Sequence, residues 1–230
     1  MSDRHLILLH GALGDSSQLA SLTARLGSTR HIAVLELEGH GKAPFRDRPL
    51  RVETLAEAVV EEMNARGIQR ADFFGYSMGG YVALQVAATH PDRVDRVATL
   101  ATKFAWSPEI AARETAMLDV ATIRAKVPKF AAALEARHTG AGWEALLAQT
   151  ADLMRALGAH PLLNETVLAS IAKPVRLGVG DRDTTVSIDE SAAAARELPQ
   201  GELEVHPRTA HPFEKAPLDR IARSIDEFLA

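Results

Sequence analysis

The chain has no cysteine. Disulfides, a thiolate nucleophile and zinc–thiolate sites are thereby excluded, while the compartment stays open because a large core needs no covalent staple. It also has no block of lysine and arginine, and its formal net charge is −4, so it lacks the electrostatic footprint of a nucleic-acid binder. Long apolar runs are missing too. Stretches such as Leu6–Leu9 fall far short of the roughly 20 residues that cross a bilayer. The first ten residues carry Asp3, Arg4 and His5 before an apolar run too short for a signal segment, which makes the cytoplasm the expected location. Repeats and low-complexity tracts are absent.

What is present is the composition of an ordinary globular protein: 230 residues, 47% hydrophobic and 24% charged, read as one domain. Short apolar runs at Leu6–Leu9, Ile32–Leu37, Ala71–Tyr76, Val94–Ala101 and Val175–Val179, with a more polar one at Glu202–Val205, have the length and continuity of strands buried on both faces. Helical patterns lie between them at Ser17–Leu26, Val52–Arg66, Met78–Thr89, Ile188–Leu198 and Phe213–Leu229. This alternation predicts an α/β fold with a mostly parallel sheet of about six strands and helices on both faces.

The alternation lapses from 103 to 173. That segment carries both tryptophans, glycine stops at Gly140, Gly142 and Gly158, and N-cap candidates at Ser107 and Asn164. Trp143, Leu146, Leu147, Thr150, Leu153, Met154 and Leu157 follow the spacing of one helix face. The reading is a core of 1–102 and 174–230 with a helical insertion at 103–173.

The strongest chemical signal is Gly75-Tyr76-Ser77-Met78-Gly79-Gly80, placed between the strand at 71–74 and an apolar helix. A Gly-x-Ser-x-Gly turn in that setting is a nucleophile elbow, a strained bend that lifts the serine above the sheet. A serine hydroxyl needs a base to take its proton and a carboxylate to orient that base. In this arrangement acid and then histidine follow the serine in chain order. Gly180-Asp181-Arg182-Asp183 follows one later strand and His206-Pro-Arg-Thr-Ala-His211 follows the next, so each loop offers two candidates.

On these residues the chain resembles the serine-nucleophile branch of the α/β-hydrolase superfamily, over about 6–102 and 175–229. The resemblance implies Ser77 as nucleophile, Asp183 as acid, counted three residues from Gly180, and His211 as base. His10-Gly11-Ala12 is similar to the family's His-Gly-x turn, implying that the backbone N–H groups of Ala12 and Met78 form the oxyanion hole. Glu38-Gly39-His40-Gly41 resembles a second family landmark. The chain departs from the family in opening at what would be the third strand, and in a short His211-Pro-Phe-Glu214 spacing.

Blander readings exist for each feature. Ser77 alone could be a turn serine, Asp181 and Arg182 a solvated turn, and the Asn164-Glu165-Thr166 sequon a helix cap. His10 and His40 read as structural, and the remaining histidines show no metal-ligand spacing. The insertion is a purely structural layer or a lid over Ser77, the latter favoured because ligands of open α/β sheets bind beyond the carboxyl ends of the strands. Phe104, Trp106, Phe130, Trp143 and Met154 are its candidate lining.

The expected activity is hydrolysis of a small, mainly apolar carboxylic ester through an acyl-enzyme, with no cofactor or metal. The expected partner is the small-molecule substrate, with no nucleic acid or membrane, and the chain a monomer or homodimer. C–C bond, thioester or peracid-forming chemistry on the same triad, or ligand binding without turnover, are the alternatives.

Overall fold

A computed structural model describes residues 4–27 and 30–230. Six strands, β1 (His5–Leu9), β2 (His31–Leu35), β3 (Ala71–Tyr76), β4 (Val94–Leu100), β5 (Val175–Gly180) and β6 (Gly201–His206), form one sheet in the order β2-β1-β3-β4-β5-β6. Every pairing is parallel. The central strands read as continuous apolar runs because helices cover both faces. Successive residues serve opposite layers: Ile7, Leu9 and Phe73 pack with α2 (Val52–Ala65), α3 (Met78–Thr89) and α9 (Ile188–Glu197). Leu6, Leu8 and Phe74 pack instead with α1 (Ala20–Thr23) and α10 (Leu218–Phe228).

Between β4 and β5 the chain forms five helices, α4 (Pro108–Thr115), α5 (Val120–Lys126), α6 (Pro128–Arg137), α7 (Trp143–Ala159) and α8 (Glu165–Ser170). Ser107 and Asn164 cap α4 and α8, their side-chain oxygens accepting from Ile110 N at 3.2 Å and Val167 N at 3.1 Å. Ile123, Ala131, Leu134, Trp143 and Leu147 make a small core of the insertion's own. The far half of α7 sends Leu153 and Leu157 into the main core instead. Gly158 does not stop α7. It lies where the helix meets the start of α4, and a Cβ there would stand 2.5 Å from the Ala111 Cβ.

Three other elements are shorter than their sequence patterns. β2 ends at Leu35, since the Leu37 N–H turns to the His10 ring at 3.1 Å instead of a neighbouring strand. The pattern at 17–26 splits into a 3-10 turn, Ser16–Leu19, and the single turn of α1. The last helix begins at Leu218, after Pro217 interrupts the run from Phe213. No helix among the described residues is long and apolar enough to cross a membrane.

Candidate active site

The sheet order reverses at β1, so the loops leaving β1 and β3 diverge and open a crevice at the carboxyl end of the strands. Ser77 stands at this edge. Its backbone is left-handed, with φ 52° and ψ −118°, a conformation that costs a non-glycine residue about 1–3 kcal/mol. The glycines around it allow the bend. A Cβ on Gly75 would lie 2.4 Å from the Gly79 carbonyl carbon, and one on Gly79 would lie 2.3 Å from the Leu9 oxygen, so α3 could not start so close to β1 and β3 with larger residues.

Ser77, His211 and Asp183 form a hydrogen-bonded chain. Ser77 Oγ lies 3.3 Å from His211 Nε2, and His211 Nδ1 lies 2.8 Å from Asp183 Oδ2. The other carboxylate oxygen, Oδ1, accepts the backbone N–H groups of Thr185 and Val186, both at 2.8 Å. Because this oxygen is fixed by the loop that opens α9, Oδ2 is left facing the imidazole. Burial pushes the Asp183 carboxyl up, but the His211 bond, the two N–H donors and the imidazole's charge outweigh it and hold the group below the ordinary carboxylate value.

Asp181 and His206 lie outside this chain. Asp181 accepts the Thr209 N–H at 3.1 Å and so shapes the loop that carries His211. His206 ends β6, buried beside Gly178, with burial lowering its pKa.

A cavity of about 260 Å³ opens onto Ser77 and His211. Ala12, Met78, Tyr81 and Val52 form its floor and wall, and Trp106, Met117, Leu153, Met154 and Leu157 of the insertion complete it. The side chains of Phe104, Phe130 and Trp143 were expected here and are elsewhere. Phe104 packs against the main core, Trp143 fills the insertion's own core, and Phe130 is 42% exposed. Ala12 and Met78 both border the cavity, and Met78 is the first residue of α3, where a backbone N–H has no acceptor within the helix.

A family model described as the alpha/beta hydrolase fold matches residues 4–209. The chain belongs to the α/β-hydrolase fold family. Over 91 residues, 40% of its length, this hydrolase-fold chain is 37% identical to a pimeloyl-[acyl-carrier protein] methyl ester esterase of Neisseria meningitidis. The aligned part spans about a third of that relative, 34%. Over 97% of this chain and 86% of the relative it is 26% identical to 2-hydroxymuconate semialdehyde hydrolase of Pseudomonas putida. Its fold superposes on the enol-lactonase from Burkholderia xenovorans LB400 with a TM-score of 0.79 at 21% identity, covering 100% of this chain and 92% of that one.

Sequence reasoning missed several residues that frame the candidate site of this hydrolase-fold chain. Glu190 Oε1 accepts the N–H groups of Phe104 and Ala105 at 3.0 and 3.2 Å while Oε2 accepts that of Ser187 at 3.0 Å, tying the first residues of the insertion to α9. Lys103 Nζ donates to the Thr185 carbonyl at 2.8 Å. Only the Ser187–Glu190 capping box carried a sequence signal. Glu114 lines the cavity almost fully buried, with Arg113 holding one carboxylate oxygen at 3.1 Å. Among the described residues no group of three or more histidine and acidic side chains is placed to hold a metal ion.

Proposed function

We propose that this protein is a serine hydrolase acting on small carboxylic esters with a mainly apolar acyl part. Ser77 Oγ attacks the ester carbonyl as His211 Nε2 takes its proton, and the carbonyl oxygen becomes an oxyanion facing the N–H groups of Ala12 and Met78. His211 then gives the proton to the departing alkoxide, leaving an acyl-Ser77. Water repeats the sequence, with His211 as base, and releases the acid. Asp183 keeps Nδ1 protonated, so that Nε2 is the basic nitrogen, and stabilises the imidazolium that forms. The helical insertion serves as a lid, closing an apolar cavity over the reacting atoms.

The single observation that carries this reading is the chain Ser77–His211–Asp183 opening onto a cavity. The esterase named among the relatives supports it. Hydrolysis of a C–C bond on the same three residues is the second reading, favoured by the 97% coverage against the semialdehyde hydrolase. The test is turnover of nitrophenyl esters of graded acyl length beside a 2-hydroxy-6-oxo-dienoic acid. The first reading expects ester hydrolysis that is lost in Ser77→Ala. Faster turnover of the dienoic acid would favour the second, and no turnover of either would overturn both.

A further inference from the structure

The turn Gly11–Gly14, which carries Ala12, is closed by the Gly14 N–H on the Gly11 carbonyl at 3.1 Å. Its third residue, Leu13, has φ 58°. Glycine ordinarily fills such a place, and a branched side chain there is strained. The insertion takes hold of Leu13 in two ways. The Leu13 side chain packs against the cluster of Ile123, Leu134, Trp143 and Leu147. The Leu13 carbonyl meanwhile accepts from Arg137 Nη1 at 2.9 Å and lies 3.1 Å from His138 Nε2.

His138 also bridges to a second loop. The Gly41 N–H donates to its Nδ1 at 2.9 Å, so Nδ1 is the bare nitrogen and Nε2 carries the hydrogen given to Leu13. This tautomer is neutral, as suits a ring that is 1% exposed. Gly140 N–H donates in turn to the Gly41 carbonyl at 3.1 Å. The C-terminal end of α6 therefore clamps the loops after β1 and β2 together, one residue away from Ala12.

We infer that Arg137 and His138 are positioning residues for the reaction, holding Leu13 in its left-handed conformation and thereby aiming the Ala12 N–H at the developing oxyanion. The inference rests on the proposed serine mechanism. Under it the insertion does more than enclose substrate, since the cluster around Leu13 and the two donors to its carbonyl complete the oxyanion site from outside the α/β core. A leucine at this strained position is then explained: its side chain is the pin that fixes the turn to the insertion.

The test compares His138→Asn, His138→Gln, Arg137→Ala and Leu13→Ala on 4-nitrophenyl butyrate, with hydrogen exchange of the 10–15 backbone as a readout independent of activity. Asparagine keeps an acceptor for Gly41 but loses the donor to Leu13, whereas glutamine keeps a donor near the Nε2 position. His138→Asn, Arg137→Ala and Leu13→Ala are expected to lower kcat about 10- to 100-fold, less than outright loss of an oxyanion donor, with KM within about twofold and faster exchange at 10–15. His138→Gln is expected to retain most of kcat and of the protection. Unchanged protection at 10–15 in His138→Asn, or equal losses in the asparagine and glutamine variants, would overturn the inference while leaving the serine mechanism standing. A wild-type protein that neither hydrolyses the ester nor reacts with a fluorophosphonate would overturn both.

Discussion

The Tyr76 hydroxyl donates to the backbone carbonyl of His211 at 2.8 Å. The residue before the proposed nucleophile thus holds the main chain of the proposed base, and the Tyr76 and His211 rings lie 5.7 Å apart. Burial pushes the Tyr76 hydroxyl well above its ordinary pKa, so it remains a donor throughout the working range. Removing it in Tyr76→Phe forfeits about 0.5–1.5 kcal/mol of hydrogen bonding. Steady-state kinetics should give a kcat reduced about 3- to 10-fold with KM little changed.

Asp183→Asn should be far more damaging. Oδ1 already accepts two backbone N–H groups, so the substituted amide would place its NH2 opposite the Nδ1–H of His211 and favour the wrong tautomer. A fall in kcat of about a thousandfold or more is expected, with the fold intact by circular dichroism. Asp181→Asn, by contrast, should leave kcat within a few-fold.

Gly79→Ala should act on the fold. The added methyl would stand 2.3 Å from the Leu9 oxygen and 2.5 Å from the His10 oxygen, and these are backbone atoms of β1 and its exit, with no rotamer to give way. Overpacking of this kind costs about 1–3 kcal/mol or more. Urea denaturation should register at least that loss, together with lower activity as β1 and α3 separate.

Acid should weaken the fold through buried histidines. Burial, aided by the neighbouring His10, holds His40 down to about 3, while an unfolded histidine titrates near 6.5. Between these values the unfolded chain binds the extra proton, so stability is full above about 6.5 and falls as the pH drops, by up to about 1.4 kcal/mol per unit from this group. His138, also lowered by burial, adds to the same trend. Glu36 is held below 4.5 by the nearby His10 ring and by the bonds from the Ser16 N–H and hydroxyl, which outweigh its burial, so its contribution is lost only in more acidic solution. Asparagine at position 40 retains a donor for the Glu38 carbonyl, which lies 3.0 Å from Nδ1. Urea midpoints at pH 7.5 and 5.0 should therefore differ less in His40→Asn than in the wild type.

Glu114→Leu should retune the cavity. Glu114 is 7% exposed and lines the cavity, and replacing it with leucine exchanges a polar carboxyl, bonded to Arg113, for an apolar side chain in the proposed acyl pocket. KM for longer, unbranched nitrophenyl esters should fall relative to acetate in a chain-length series.

The chain announced its sheet because β1, β3, β4 and β5 are buried on both faces and so read as uninterrupted apolar runs. That Ser77, His211 and Asp183 would meet was legible for a different reason: a strand–turn–helix context and a fixed chain order tie each to the end of a strand. The lining of the cavity was legible only in part: Trp106 and Met154 border it, whereas Phe104, Phe130 and Trp143 do not. A helical stripe says that Trp143 and Leu147 are buried, but only the fold says that they face Ile123 and Leu134 while Leu153, on the same stripe, borders the cavity. Leu13 is the same case, since its strained backbone follows from contacts with residues more than a hundred positions away.

The most direct test of the account is a fluorophosphonate reaction followed by peptide mass spectrometry. A single stoichiometric adduct on Ser77, absent in Ser77→Ala and much slower to form in His211→Ala, is the predicted result. A folded protein that remains unmodified, or one modified at another residue, would contradict it.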